Sequence, residues 1–528
     1  MMLRMASGSA LSVSRTASLR ALVASRCLSS LKPLDEEYLG TPNTMPAAVG
    51  PPVTKVSTLS NGAKVVTRES GQLGCAVGVV VGCGARDESA AQVGATLQME
   101  LMAFKLTEGR SSIRLMRDVE SAGGNLAAVR GREKIMYVSE CIPESAGVVL
   151  TALADSVVSP KIVPWELSDA SAKGAEVIIP RHEQSTAAMA DEAVHSAAFG
   201  DSYTLGKPLT IACGLSVDGI KDFRAARYTA PAMTVVGVNV PHEEFAGQAE
   251  VALEGADSSS PPSRTPAKYL GGEMRVKHDL GITSVSMAFS APSGADASAP
   301  AYEVLGALLN ARASAAVPGA SGFSVFYSDA GLVGVTGSCN KGNGSALTEA
   351  LVSCFKGLAE GPSESELEAA IASAKIARGV RMEKPLYAML TLANATTVGA
   401  DPVSADSVLD GVTAEAVKEA GMAAVKSELS VGAVGNISEV RSPSNSAQAR
   451  NLGNALGEGN ALGEGNALGE GVKECRVVVG RRVEPIKPSG PRAAQIYRGW
   501  VSRRAGRRCH SGARWNGIVG GGDGGVMR

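Results

Sequence analysis

The stretch Leu97-Gln98-Met99-Glu100-Leu101-Met102-Ala103-Phe104-Lys105 decides the reading of the chain. Leu97, Leu101 and Phe104 fall at i, i+4 and i+7, the spacing of one apolar helix face, so the stretch predicts an amphipathic helix with Glu100 as its single acid. Immediately upstream, Cys75 to Val81 is a continuous Val-rich run, which predicts a strand buried on both faces. Gly82-Cys83-Gly84 breaks it, and Gly84-Ala85-Arg86-Asp87-Glu88 leads into the helix. Further back, Lys55 to Arg68 predicts two short strands around the turn signal Asn61-Gly62.

Downstream, Ser111-Ser112 supplies an N-cap signal and Gly123-Gly124 a C-cap signal for a helix over 112–122. Asn125 to Arg130 and Ile135 to Cys141 alternate like paired strands, and Pro143 to Val158 returns to helix. A helix over Asp218 to Arg227 and a strand over Ala232 to Val240 follow. Ala256-Asp257-Ser258-Ser259-Ser260-Pro261-Pro262-Ser263 then breaks the composition as linkers do.

Beyond it the order restarts. Ser284 to Phe289 as strand, Ser293-Gly294-Ala295-Asp296 as turn and Pro300 to Leu309 as helix repeat the earlier series at an offset of about 210 residues, which predicts two homologous halves. Helices over 348–359 and 363–383 and a final unit over 405–435 complete the second half. Residues 453–470 are three copies of Gly-Asn-Ala-Leu-Gly-Glu, too few and too glycine-rich to stack, and read as a flexible linker.

A chain of 528 residues with 45% hydrophobic and 20% charged residues has the composition of a globular protein of two or three domains. Aromatics are only 4%, so its core must be built from Ala, Val, Leu and Met. The net charge of -1 conceals a split: residues 472–528 hold 13 Lys and Arg against 3 acids, and residues 1–34 hold 5 against none. The middle therefore carries about -16, an acidic body with basic ends. Arg4, Arg15, Arg20, Arg26 and Lys32 among many Ser and Ala, with no acid before Asp35, predict a mitochondrial transit peptide over 1–34. No apolar run approaches the 18 or so residues of a membrane span. The nine cysteines show no C-x-x-C and no C-x-x-C-H, so neither a zinc ribbon nor a covalent haem is written here, and they read as buried free thiols.

Several of these segments resemble the pitrilysin-type (insulinase-like) zinc peptidases. That family often reads G-S-R-x-E followed by H-F-L-E-H-M-A-F-K, against Gly84-Ala85-Arg86-Asp87-Glu88 and the quoted helix here. Val119 to Gly124 with Tyr137 to Cys141 is similar to its I-E-x-x-G-G-x-L and Y-x-x-x-C segments, and Gly322 to Val335 to its F-x-x-x-Y-x-D-x-G-L-F-G segment. The resemblance covers about residues 55–440. It implies an α+β fold of two homologous domains, each a mixed, largely antiparallel sheet with helices packed on one face, forming a bowl. The implied order is transit peptide 1–34, Pro-rich lead 35–54, N-terminal domain 55–255, linker 256–268, C-terminal domain 269–440, flexible repeat 441–471 and basic tail 472–528.

The family's H-x-x-E-H register places two His on one helix face to grip zinc while the Glu polarises water. Here that register reads L-Q-M-E-L. Leu97 and Leu101 have no lone pair to give, and Glu100 alone cannot hold the ion. The resemblance also implies a distal Glu ligand, for which Glu176, His182 and Glu183 are the nearby candidates; all three read as a solvated helix face. His195 and His242 read as structural or solvated. The expectation is a degenerate motif with no catalytic, metal or cofactor-binding residue and no cofactor.

What the resemblance then implies is a non-catalytic member, of the core-subunit branch in mitochondrial ubiquinol-cytochrome c reductase (complex III). The presequence-binding alpha branch of the mitochondrial processing peptidase is the alternative. The alpha branch carries a long Gly-rich loop ahead of the Tyr327-Ser328-Asp329 segment, whereas Ala313 to Gly322 holds two glycines. The implied partners are core protein 1 or a beta-type peptidase subunit, with cytochrome b, cytochrome c1 and the iron-sulfur subunit, on the matrix side of the inner membrane and attached to it through those partners. No nucleic acid partner is expected. Ile496-Tyr497-Arg498-Gly499-Trp500 resembles half of a calmodulin-binding IQ motif, so a calmodulin-like protein is a candidate partner of the tail.

Overall fold

The computed structural model describes residues 52–71, 74–200, 205–211, 214–403 and 408–440. The expected transit peptide, most of the Pro-rich lead, the Gly-Asn-Ala-Leu-Gly-Glu repeat, the basic tail with its IQ-like stretch, and Cys27, Cys213, Cys475 and Cys509 lie outside the described residues.

Cys75–Val81 (β3) is a strand with every residue buried. It sits inside a six-stranded sheet with Val53–Thr58 (β1), Lys64–Glu69 (β2), Ala127–Arg130 (β4), Ile135–Cys141 (β5) and Met233–Val238 (β6), in the order β1-β2-β6-β3-β5-β4. The β2–β6 pair is parallel and the other neighbours are antiparallel. The second half builds Gly272–Lys277 (β7), Ile282–Ala291 (β8), Ser321–Phe326 (β9), Gly331–Asn340 (β10) and Ser430–Gly435 (β11) in the order β7-β11-β8-β10-β9. There β7–β11 is the parallel pair. Strand for strand, this is the arrangement β2-β6-β3-β5-β4 again, so the two halves share one topology, and the fold is α+β with two mixed, largely antiparallel sheets.

The helices of the first half are Ala95–Leu101 (α1), Ser112–Ser121 (α2), Ala146–Val158 (α3), Pro164–Lys173 (α4), Ile179–Glu183 (α5), Thr186–Phe199 (α6), Val217–Arg227 (α7) and His242–Ala252 (α8). Those of the second are Ala299–Ala316 (α9), Gly344–Cys354 (α10), Glu364–Glu383 (α11), Pro385–Val398 (α12) and Ala414–Lys426 (α13). On one face of the first sheet, Val77, Val79, Tyr137 and Val235 pack with Leu150, Leu153 and Phe223 from α3 and α7. On one face of the second, Val285, Met287 and Val333 pack with Leu305, Leu309 and Leu351 from α9 and α10.

The opposite faces are covered by exchange. Met389, Leu392 and Ala393 of α12, in the second half, pack on Val66, Val80, Val138 and Val236 of the first sheet. Val194, Ala198 and Phe199 of α6, in the first half, pack on Ala288 and Leu332 of the second sheet, and Ala190 and Ala193 pack on Val434. Gly432 of β11 makes that approach possible: a Cβ there would stand 2.4 Å from the Val194 N and 2.5 Å from the Ala190 O. Interiors are packed at crystal-like density, so such a backbone-to-backbone approach leaves no room for a side chain. Burial of β3 on both faces thus has two sources, its own half and the other.

Three local readings change. α1 ends at Leu101 rather than running on through Lys105. Phe104 adopts a left-handed φ of 59°, so it leaves the helix axis and meets Tyr137 edge-on with ring centroids 5.9 Å apart. Residues 256–268 form neither helix nor strand, yet they are held in place: Arg86 Nη2 donates to the Thr265 carbonyl at 2.7 Å and the Ala267 N–H donates to Asp329 at 2.7 Å. Gly174–Ile178, which carries the candidate ligand Glu176, is a π-turn between α4 and α5.

Candidate functional site

α1 starts without a capping side chain of its own, after Gly94 in the left-handed region at φ 83°. Its free N–H groups need acceptors. Glu88, 5% exposed, supplies them: Oε2 accepts from Gly94 N at 2.8 Å, and Oε1 accepts from Thr96 N at 2.9 Å and Thr96 Oγ1 at 2.6 Å. Burial raises the Glu88 pKa, and these three bonds with the nearby Lys207 charge oppose the rise. Lys207 Nζ in turn donates to the carbonyls of Glu88 and Arg86. The glutamate of Gly84-Ala85-Arg86-Asp87-Glu88 is therefore the cap that fixes α1.

Leu97 is buried and Leu101 half-buried. Both lie against Gly174, where a Cβ would come within 3.1 Å of Leu101 Cδ1 and 3.9 Å of Leu97 Cδ2. Between them, Gln98 Nε2 donates to the Leu167 carbonyl at 3.1 Å and its Oε1 accepts from Ser171 Oγ at 3.3 Å, which ties α1 to α4. Glu100 forms an ion pair with Arg130 Nη1 at the end of edge strand β4. Arg130 further donates to the Leu209 carbonyl at 3.2 Å and Thr210 Oγ1 at 3.1 Å. Burial lowers the Arg130 pKa, and Glu192 and Glu88 pull it back up. Glu192 Oε1 accepts from Leu209 N at 3.1 Å and Thr210 N at 3.3 Å, and lies 3.4 Å from His182 Nε2.

Of the candidate ligands, only Glu100 and His182 enter this chain of contacts, and they meet a guanidinium and a carboxylate instead of each other. Glu176 and Glu183 are exposed. Among the described residues no three His, Cys, Asp or Glu side chains are grouped so as to hold a metal ion. A tetrahedral zinc needs nitrogen, sulfur or oxygen donors at about 2.0–2.3 Å; Leu97 and Leu101 contribute methyl groups, and the Glu100 carboxylate faces Arg130. The residues present do not fit that ion.

A second cluster joins the halves. Arg86 Nη1 donates to Glu133 Oε1 at 2.6 Å and to Asp329 Oδ1 at 2.7 Å, and Nη2 donates to Asp329 Oδ2 at 2.5 Å. Glu133 also accepts from Ser328 N at 2.9 Å and Ser328 Oγ at 2.6 Å. Burial alone would raise the Asp329 pKa, but the Arg86 hydrogen bonds and charge bring it below its ordinary value. Beside it, Arg264 Nε and Nη2 grip Asp87 at 2.9 and 2.8 Å, with further bonds to the carbonyls of Gly82 and Glu133. His195, fully buried, has Nδ1 2.7 Å from the Asp191 carbonyl and Nε2 2.8 Å from Tyr327 Oη. Nδ1 must carry the proton to donate to a carbonyl, so in the neutral ring Tyr327 donates to Nε2. Burial and the Arg132 charge hold its pKa well below the ordinary histidine value. His242 bonds Thr67 Oγ1 at 2.7 Å.

Residues 64–211 match the family described as Insulinase (Peptidase family M16), and residues 214–374 match the Peptidase M16 inactive domain. The chain belongs to the M16 peptidase family. Among M16 relatives it is 33% identical over 264 residues to the mitochondrial-processing peptidase subunit alpha of Solanum tuberosum, covering 50% of this chain and 52% of that protein. It is 28% identical over 428 residues to the cytochrome b-c1 complex subunit 2 of Neurospora crassa, covering 74% of this chain and 90% of that protein. With the cytochrome b-c1 complex subunit 1 of Mus musculus it shares 27% over 337 residues, 57% of this chain and 68% of that protein. The chain spans about half the length of the plant alpha subunits it matches.

Sequence reasoning singled out Glu100 and His182 but missed Arg130, Glu192 and Arg264. Arg130 stands at the end of an alternating strand, where a charged residue is ordinary, and its partner lies on another element. The M16 segments around Arg86 and Tyr327-Ser328-Asp329 were visible separately; that they grip each other across the halves is a fact of tertiary structure.

Proposed function

We propose that the chain is a non-catalytic M16 subunit, core protein 2 of mitochondrial ubiquinol-cytochrome c reductase, on the matrix side of the inner membrane. The observation that carries the reading is the α1 face: apolar Leu97 and Leu101 where a metal site needs donors, with Glu100 paired to Arg130. Its sheets are interlocked by α6 and α12 and its halves joined through Arg86, an arrangement that suits a scaffold supporting redox subunits. No helix among the described residues is long and apolar enough to cross a membrane, and attachment through cytochrome b, cytochrome c1 and iron-sulfur partners and a sister core subunit accords with that.

The match to the Neurospora crassa cytochrome b-c1 complex subunit 2, over 90% of that protein, is in keeping with this reading. The short link from α9 to β9, residues 317–320, agrees with it. The alternative, a presequence-binding alpha subunit of the processing peptidase, is supported by the 33% identity to the Solanum tuberosum protein; the acidic body would attract basic presequences, but the same charge suits a scaffold equally well. Isolation of the tagged full chain from mitochondria separates the two. Co-isolation with cytochrome b supports the core subunit; a heterodimer that cleaves presequences and contains no cytochrome b refutes it.

A further inference from the structure

Cys75 opens β3 and Cys141 closes β5, and the antiparallel register sets them directly opposite each other. Opposed residues of an antiparallel pair have Cα atoms about 4.5–5.5 Å apart with side chains on one face. That lies within the separation of about 4.4–6.8 Å that a disulfide spans. Both side chains belong to the core formed with Val119, Ala146 and Val149. Cys75 is 1% exposed and Cys141 7%, next to the exposed Ile142. The other described cysteines have no such partner: Cys339 faces Thr283 across the sheet, Cys354 donates to the Ala350 carbonyl, and Cys83 lies beyond the opposite end of β3.

We propose that Cys75 and Cys141 are a redox-active thiol pair that closes to a cross-strand disulfide when the chain meets a small disulfide oxidant, R–S–S–R. This inference does not depend on the functional reading above. Cys141 is the attacking sulfur, because it is the more exposed of the two, and the facing thiols shift each other so that Cys141 lies below its ordinary pKa and Cys75 above. Its thiolate attacks one sulfur of the oxidant and expels RS⁻, leaving a Cys141–S–S–R mixed disulfide. RS⁻ takes the Cys75 proton, and the Cys75 thiolate attacks the Cys141 sulfur and expels the second RS⁻, which is protonated by solvent to replace the proton first lost from Cys141. Two thiols are oxidised and one R–S–S–R is reduced to two RSH. The bond staples the ends of the segment that carries α1, Glu100 and Arg130.

The test uses the full chain in its native assembly, incubated with oxidised glutathione, quenched with N-ethylmaleimide and digested with trypsin without reduction. The expected product is peptide 69–86 linked to peptide 135–161, about 2 Da lighter than the same two peptides with only Cys75 and Cys141 returned to free thiols. Because Cys75 and Cys83 share the first peptide, Cys83→Ser must keep the link and Cys75→Ser must lose it, with Cys141 then carrying glutathione. Alkylation of both Cys75 and Cys141 in the oxidised wild-type chain overturns the proposal. So does a link that fragment ions assign to Cys83, a result the wild-type chain gives even if a variant fails to fold.

Discussion

Replacing Gly432 by Ala tests the exchange of helices between the halves, because the added methyl meets only backbone. It would stand 2.4 Å from Val194 N, 2.5 Å from Ala190 O and 2.9 Å from Ala193 C. Ordinary contact is about 3.4 Å or more, so α6 must retreat by about 1 Å. A gap of that size forfeits about a quarter to a half of the dispersion attraction of every atom along the contact. Ala190, Ala193, Val194, Ala198 and Phe199 all bury their side chains there. Added to the usual overpacking penalty, the expected loss is about 3 kcal/mol or more. Gly78→Ala is the matched control on the first sheet, under α12. Its methyl meets Met389 Sδ at 2.7 Å and Cε at 3.1 Å, the end of a flexible side chain that can swing aside. The entropy that Ala removes from the unfolded chain offsets the remaining crowding, so the net change is within about 1 kcal/mol. Urea unfolding of both variants beside the parent, followed by far-UV circular dichroism, reads the difference directly. Equal midpoints for the two variants would show that α6 does not lie on β11, and the interlocked architecture would be wrong.

Glu100→Gln and Arg130→Met, singly and together, should show a coupling of about 1–3 kcal/mol in a double-mutant cycle, and additivity within about 0.3 kcal/mol would remove the pair from the account. Arg86→Met leaves Glu133 and Asp329 without their shared cation; with Glu133 buried and Asp329 29% exposed, the expected loss is about 3 kcal/mol, with faster proteolysis in residues 256–268. A variant as stable and as protease-resistant as the parent would deny the seam its role. His195 is neutral when folded and takes up a proton near pH 6.5 when unfolded, so its contribution is present above pH 6.5 and is lost as pH falls below it, at up to about 1.4 kcal/mol per pH unit. His195→Gln should flatten the stability profile between pH 6.5 and 5, and an unchanged slope would mean that another group sets it.

The parts of the fold that were legible are those whose signal is local. β3 could be read because a strand buried on both faces has no polar alternation, and α2 because Ser111 accepts from the Arg114 N–H at its start. The end of α1 was not legible: no Gly or Pro follows Leu101, and an aromatic residue such as Phe104 rarely takes a positive φ. Helix α12 was missed because its small and apolar residues surround it without a clear polar stripe, as a helix wedged between layers requires. At the site, the absence of imidazole at positions 97 and 101 was written in the sequence, but the cation facing Glu100 was not. The residue in register with Cys75 is 66 positions away, at Cys141, a pairing that no local cysteine spacing displays.

The central claim is that the α1 face of this M16 chain holds no catalytic metal. Titration of the purified full chain with zinc, with metal content measured by mass spectrometry after dialysis, tests it most directly when the Glu100→Gln variant is carried alongside. The account predicts that no stoichiometric zinc is retained and that both proteins bind the same trace amount. One tightly held zinc per chain, with peptide hydrolysis abolished in Glu100→Gln, would contradict it.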